Sequence, residues 1–280
     1  MRRSQLLMAV LAAVLAAPAS AADGKILGTP GVMQVEGTGG TGVVPWAMLS
    51  GYDTAEQISA TAFATDVQVD DFRLRVHGGA LSIRDRVELS IARQALDVEP
   101  LATRIRQDVF GLKARVTGDL VYGPLPQISV GIQHKRLDDA TIANMLGARD
   151  DTGTDIYAAA SKLHLGGAFG YNWLWNLTAR ATRANQNGLL GHGGDNNNDY
   201  ELMLEGSAAI LLGRHLAVGL DYRFKPDNLS AVPEDHWADV FVAIFPNKHF
   251  NVTLAWVDLG NIAGSPDQRG IYFSVTGYLP

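Results

Sequence analysis

Two runs, residues 237–245 and 250–259, flank the polar turn Pro246, Asn247, Lys248 and His249. In the second run Phe250, Val252, Leu254 and Trp256 share one face, and Asn251, Thr253 and Ala255 share the other. A period of two is that of a strand, and two such runs around a short turn make a hairpin. Runs of about 9–11 residues, with aromatics toward their ends, match tilted strands that cross a bilayer between interfacial girdles. A chain that repeats this pattern throughout is an outer-membrane β-barrel.

The pattern does repeat. Candidate strands are 57–67, 71–83, 86–96, 105–116, 127–136, 155–166, 172–182, 200–211, 215–224 and 270–279, besides the two of the opening hairpin. In 71–83, Phe72, Leu74, Val76 and Ala80 oppose Arg73, Arg75 and His77; in 215–224, Leu216, Val218, Leu220 and Tyr222 oppose Gly219, Asp221 and Arg223. Short and long connections alternate, as in single-chain barrels whose turns face the periplasm. The expectation is an all-β, transmembrane, antiparallel up-and-down barrel of twelve strands over residues 57–280. A fourteen-stranded alternative would add short pieces at 31–36 and 44–51. One long connection, 137–153, carries a short helix from Asp138 or Asp139 to Gly147, capped by an Asp and stopped by the Gly.

The two ends of the chain read differently. Arg2 and Arg3, an apolar run over 6–17 and the small residues Ala19, Ser20 and Ala21 form a secretory signal peptide over residues 1–21. Its removal takes two cations and moves the formal charge from −6 to −8. An acidic mature chain argues against a nucleic-acid partner. The chain has no Cys, hence no disulfide and no thiolate metal site. Residues 22–56 are Gly-rich and irregular, and read as a plug or lead-in segment. No helix pattern and no Lys follows the glycines, as a phosphate cradle would need, and the next stretch reads as extended. The chain ends Tyr278, Leu279, Pro280, without the terminal aromatic that the barrel-assembly machinery, an expected partner alongside outer-membrane lipid, usually reads.

With apolar faces toward lipid, the charged faces line a polar lumen. The expected lining is Arg73, Arg75, Arg86, Glu88, Lys113, Arg115, Lys135, Arg180, Glu201, Glu205, Asp221 and Arg223. Asp138, Asp139, Asp150, Asp151 and Asp155 lie in or beside the helical insertion and are the expected acidic constriction. A basic wall facing an acidic loop sets a transverse field that orients polar solutes. The leading reading is a passive, porin-like channel for small polar solutes. The alternative is a non-conducting structural or binding barrel whose charges merely pair. A lipid-modifying enzyme ranks below both, because no His stands beside a Ser in a catalytic pattern, and no cofactor or metal is expected. Asp195, Asn197 and Asp199 have the oxygen spacing of a calcium loop, but Tyr200 replaces its Gly and no Glu closes it. A solvated loop is the better reading.

Four stretches carry a family resemblance: residues 42–47 (GVVPWA), 58–65 (ISATAFAT), 85–94 (DRVELSIARQ) and 106–113 (RQDVFGLK). Together they resemble an uncharacterised domain-of-unknown-function family of proteobacterial exported proteins. The resemblance spans nearly the whole mature chain and implies an outer-membrane barrel, with no substrate and no functional residues to carry over.

Overall fold

A computed structural model describes residues 24–279; the signal peptide lies outside the described residues. Twelve strands close into an antiparallel barrel in sequence order. They are β3 (Ile58–Val69), β4 (Phe72–Ile83), β5 (Val87–Val98), β6 (Thr103–Thr117), β7 (Gln127–Leu137), β8 (Thr152–Ala168), β9 (Tyr171–Thr182), β10 (Glu201–Leu211), β11 (Leu216–Arg223), β12 (Trp237–Ile244), β13 (Phe250–Asp258) and β14 (Arg269–Leu279). β14 pairs with β3, from Gly270 opposite Val69 to Leu279 opposite Ala60, and so removes the sheet edges. The opening hairpin is β12–β13, with Val240 opposite Trp256.

The fourteen-stranded alternative is not what forms. The N-terminal pieces β1 (Val32–Met33) and β2 (Gly39–Gly40) pair only with each other. Residues 44–51 form no strand. The helix is a single turn, Thr141–Met145, whose first amide is capped by Asp139 Oδ1 at 2.9 Å. Gly147, at φ +98°, ends the segment, a conformation that favours Gly.

Alternation defines two faces of each strand, and burial shows which one points in. Near the short-turn end the outward residues are apolar: Leu81, Leu89, Ile91, Phe110, Leu112, Val130 and Ile132 are all at least 41% exposed. Their inward neighbours Ser82, Glu88, Lys113 and Ser129 are buried. Toward the long-loop end of β3–β7 the polarity inverts without any change of phase. Arg73, Arg75, Arg93, Arg104, Arg106 and Arg136 point outward, while Phe72, Leu74, Leu96, Ile105, Val109 and Leu137 point inward. The outward cations meet outward acids: Arg73 reaches Asp66 at 2.8 Å, Arg75 reaches Asp97 at 2.5 Å, and Arg93 reaches Asp108 at 2.8 Å. These strands therefore extend past the apolar band into water, where outward charge is solvated and the apolar side chains need another place to bury. That place is the barrel mouth, where Phe72, Leu74 and Leu96 pack with Leu189, Trp237, Leu259 and Ile262.

Candidate functional site

The inner wall and the segment that precedes the barrel form one unit. Every residue from 30 to 53 is buried, and its hydrogen bonds reach inward side chains around most of the circumference. Thr61 and Glu88 hold the Ser50 backbone, and Gln94 donates to Val35 O. Gln127 and Ser129 donate to Ala47 O. Ser161 accepts from Ala47 N, Asn176 and Thr178 donate to Pro45 O, and Ser207 accepts from the Trp46 indole. A Gly-rich run suits this position because it must pass close to the wall. A side chain at Gly39 or Gly40 would strike the backbone of Ser50 or Val44. Irregular backbone needs external partners, and the polar inner wall supplies them.

Two buried ionic contacts fix the segment. Lys113 donates to the carbonyls of Gly39 at 2.9 Å, Trp46 at 3.3 Å and Met48 at 2.7 Å, and lies 3.3 Å from Glu88. The second contact centres on Glu36, the sole charged residue between Lys25 and Asp53. Its carboxylate meets Arg223 at 2.7 Å, Arg180 at 3.6 Å and the Lys135 ammonium. Lys135 and Arg180 also pair with Asp155, at 2.6 and 3.2 Å, and Glu205 pairs with Arg180 and, at 3.5 Å, with Arg223. Burial alone would raise the Glu36 carboxyl, but Arg223, Lys135 and Arg180 together hold it well below the usual carboxylate range. Across both contacts four carboxylates, Glu36, Glu88, Asp155 and Glu205, balance four cations, Lys113, Lys135, Arg180 and Arg223.

Asp221 and Asp239 stand apart from this balance. They face each other across β11 and β12, both are at most 4% exposed, and no cation of the described residues lies within ion-pair distance of either.

Above this layer the connection from β9 to β10 folds inward. Its residues 184–194 are buried, and Gln186 and Asn187 take left-handed φ values of +45° and +58°. Consecutive non-glycine residues in that region are strained and need surrounding structure to hold them. The holding contacts come from the next loop. Glu234 accepts from Gln186 N at 2.5 Å, and Lys225 donates to Gln186 Oε1 at 2.8 Å while pairing with Glu234 at 3.2 Å. Burial lowers the Lys225 ammonium and raises the Glu234 carboxyl. His192 lies in the same folded loop with both ring nitrogens unpartnered, and burial, followed by the nearby Lys135 charge, pushes its imidazole down to about 4.

The structure sorts the residues expected at the site. Glu88, Lys113, Lys135, Arg180, Glu205, Asp221 and Arg223 are inward and buried. Arg115 lies on the inward side at the short-turn end, beside Asp85 and 3.7 Å from Asp119. Glu201 lies at the opposite end, where it accepts from Asn197 at 2.6 Å. Arg73 and Arg75 are corrections: they point outward, because the apolar neighbours that seemed to face lipid fill the barrel mouth. Arg86 is exposed in the turn between β4 and β5. The acidic constriction is also different. Asp138 pairs with outward Arg93, Asp139 caps the helix, Asp150 pairs with Arg183 at 2.7 Å and Asp151 is exposed. Only Asp155 reaches the lumen, from a strand. The loop that folds in is the following one, residues 184–194. Glu36, Asp239 and the Lys225–Glu234 pair were not among the expected residues. A lone charge inside a 27-residue uncharged run around Glu36, from 26 to 52, is the signal that would have found the first.

An imidazole–hydroxyl pair does exist on the outer surface, His134 Nδ1 and Thr154 Oγ1 at 2.9 Å. No carboxylate of the described residues orients that imidazole, so it lacks the third member of a triad. Among the described residues no cluster of three or more His, Cys, Asp or Glu could hold a metal ion.

The family model described as "Protein of unknown function (DUF3034)" matches residues 29–276. The chain belongs to the DUF3034 family. That match covers the luminal segment together with the barrel. No curated protein matches the sequence. Among solved structures the KdgM porin is similar with a TM-score of 0.50 and 9% identity, over 78% of this chain and 98% of that one. The NanC porin is similar at 0.49 and 5%, over 79% and 100%, and the Acinetobacter baumannii outer membrane protein Omp33 at 0.46 and 10%, over 81% and 100%. At 9% identity the likeness to KdgM is one of fold: the DUF3034 chain has the porin-like architecture of an outer-membrane β-barrel.

Proposed function

We propose that this chain is a porin-like barrel of the Gram-negative outer membrane whose lumen is shut by its own N-terminal segment, residues 22–56, acting as a plug. The carrying observation is the Glu36 contact, in which a single carboxylate from the segment completes a buried network of wall charges. Around Glu36 the wall behind the segment is polar, with Gln94, Gln107, Gln133, Asn176 and the paired charges. A lumen emptied of the segment therefore suits small polar solutes rather than apolar ones. The folded loop 184–194 narrows the long-loop mouth without shutting it, and by the connection-length rule that mouth faces outward from the cell. Passage then requires that the segment leave or shift. The reading agrees with the porin-like fold and departs from an always-open pore. Planar-bilayer recording of the intact, refolded mature chain tests it: long quiet periods with rare openings are expected. A steady, fully open conductance from the first insertion would refute the plug.

A further inference from the structure

The inner wall should be polar, yet near the short-turn end of β8–β12 it is not. Leu174, Leu211, Ala217, Phe241 and Phe245 all turn apolar groups inward, while their outward neighbours Trp173, Ile210 and Val242 are apolar too. Strands apolar on both faces need an apolar partner on each side. Lipid covers the outside. Inside, Ile26, Leu27, Trp46 and Met48 of the N-terminal segment cover part of the wall and leave a cavity of about 110 Å³. Apolar cavities of this order take small apolar guests.

The rim adds a second feature. It includes Ile26 and Leu165, which are 66% and 60% exposed, so the cavity opens at the short-turn end. The single charged residue lining it is Arg214, in the exposed turn between β10 and β11. No carboxylate of the described residues pairs with the Arg214 guanidinium. An apolar slot with one unpaired guanidinium at its mouth is complementary to one class of molecule. We infer that this cavity binds an unbranched alkyl carboxylate, its chain between Trp46 and Phe241 and its carboxylate at Arg214. The inference is independent of whether the lumen conducts.

Each methylene that enters the cavity should raise affinity about fourfold, and an exposed ion pair with Arg214 should contribute up to about fivefold. The test uses the full mature chain refolded in phospholipid nanodiscs with 8-bromooctanoate, whose bromine quenches an indole on contact. Trp46 lines the cavity, so Trp46→Phe supplies the background from the remaining tryptophans. Saturable quenching that disappears in Trp46→Phe is expected, with octanoate competing about fourfold better per added methylene than shorter homologues. Arg214→Gln should weaken octanoate about fivefold and leave octan-1-ol unchanged. Ala209→Phe, and the smaller intrusion Ala243→Leu, should abolish the Trp46-dependent quenching in barrels that still migrate as folded. Absence of saturable quenching in a folded barrel, its survival in both cavity-filling variants, or equal binding of octanoate and octan-1-ol would each overturn the proposal.

Discussion

Glu36→Gln is the perturbation with the largest expected consequence for the seated segment. The Glu36 side chain is fully buried and touches three cations, Arg223, Arg180 and Lys135. Glutamine keeps the shape and can still accept from Arg223, but it removes the negative charge. The buried network then holds three carboxylates against four cations. Removing one partner of a buried pair costs about 3–5 kcal/mol, because the charge left behind cannot reach water. Since the amide retains one hydrogen bond, the lower end applies, about 3 kcal/mol. The segment can relieve this by leaving the lumen and admitting water, so the penalty falls on the seated state. Three kcal/mol corresponds to a roughly hundredfold shift between seated and displaced segment. Planar-bilayer recordings should therefore show open probability raised by about that factor over the parent, with the open-state current unchanged. The double variant Glu36→Gln with Arg223→Gln restores the charge balance and should recover part of the closure, a coupling of at least about 1 kcal/mol. Open probability equal to the parent's in a folded Glu36→Gln barrel would refute the reasoning.

Three further outcomes follow from the same geometry. Asp221→Asn should raise the resistance of the barrel to heat unfolding, by about 1–3 kcal/mol, because it removes one of two buried carboxylates that face each other without a cation; a lowered unfolding temperature would contradict this. His192 is held neutral down to about pH 4 by burial, whereas an unfolded His protonates near 6.5. Its contribution is therefore intact above about pH 6.5 and is lost progressively as pH falls toward 4, up to about 3 kcal/mol, and His192→Gln should flatten that part of a pH–stability profile measured by hydrogen exchange of loop 184–194. Arg73→Gln with Arg75→Gln should leave the ion selectivity of any openings unchanged, since both side chains lie outside the barrel; a shifted reversal potential would show that they reach the lumen.

The barrel was legible because alternation and turn chemistry are local signals. The direction of each face was not. In β4 the outward residues Leu81 and Ile83 share the parity of Arg73 and Arg75, so the face that touches lipid low on the strand carries charge high on the strand. Counting apolar residues over the whole strand selects Phe72, Leu74 and Val76 and assigns the wrong face to lipid. The change of polarity at Gly78 and Gly79 is where the strand leaves the apolar band, and that boundary depends on membrane position rather than on periodicity. The constriction was misread for a related reason. Acidic side chains drew attention to 138–155, but the loop that enters the lumen is itself uncharged over 184–191 and is held through amides of Asn185, Gln186 and Asn228, with its charged partners Lys225 and Glu234 supplied by the next loop, far from that acidic stretch.

In the proposed function residues 22–56 shut an otherwise passable barrel. The most direct measurement compares single-channel currents of the mature chain with those of the same chain lacking residues 22–53, both refolded and inserted into planar bilayers at low salt. A quiet intact chain and stable, ohmic conductance steps in the truncated one are expected. Equal silence in both, with the truncated barrel still folded, would contradict the plug.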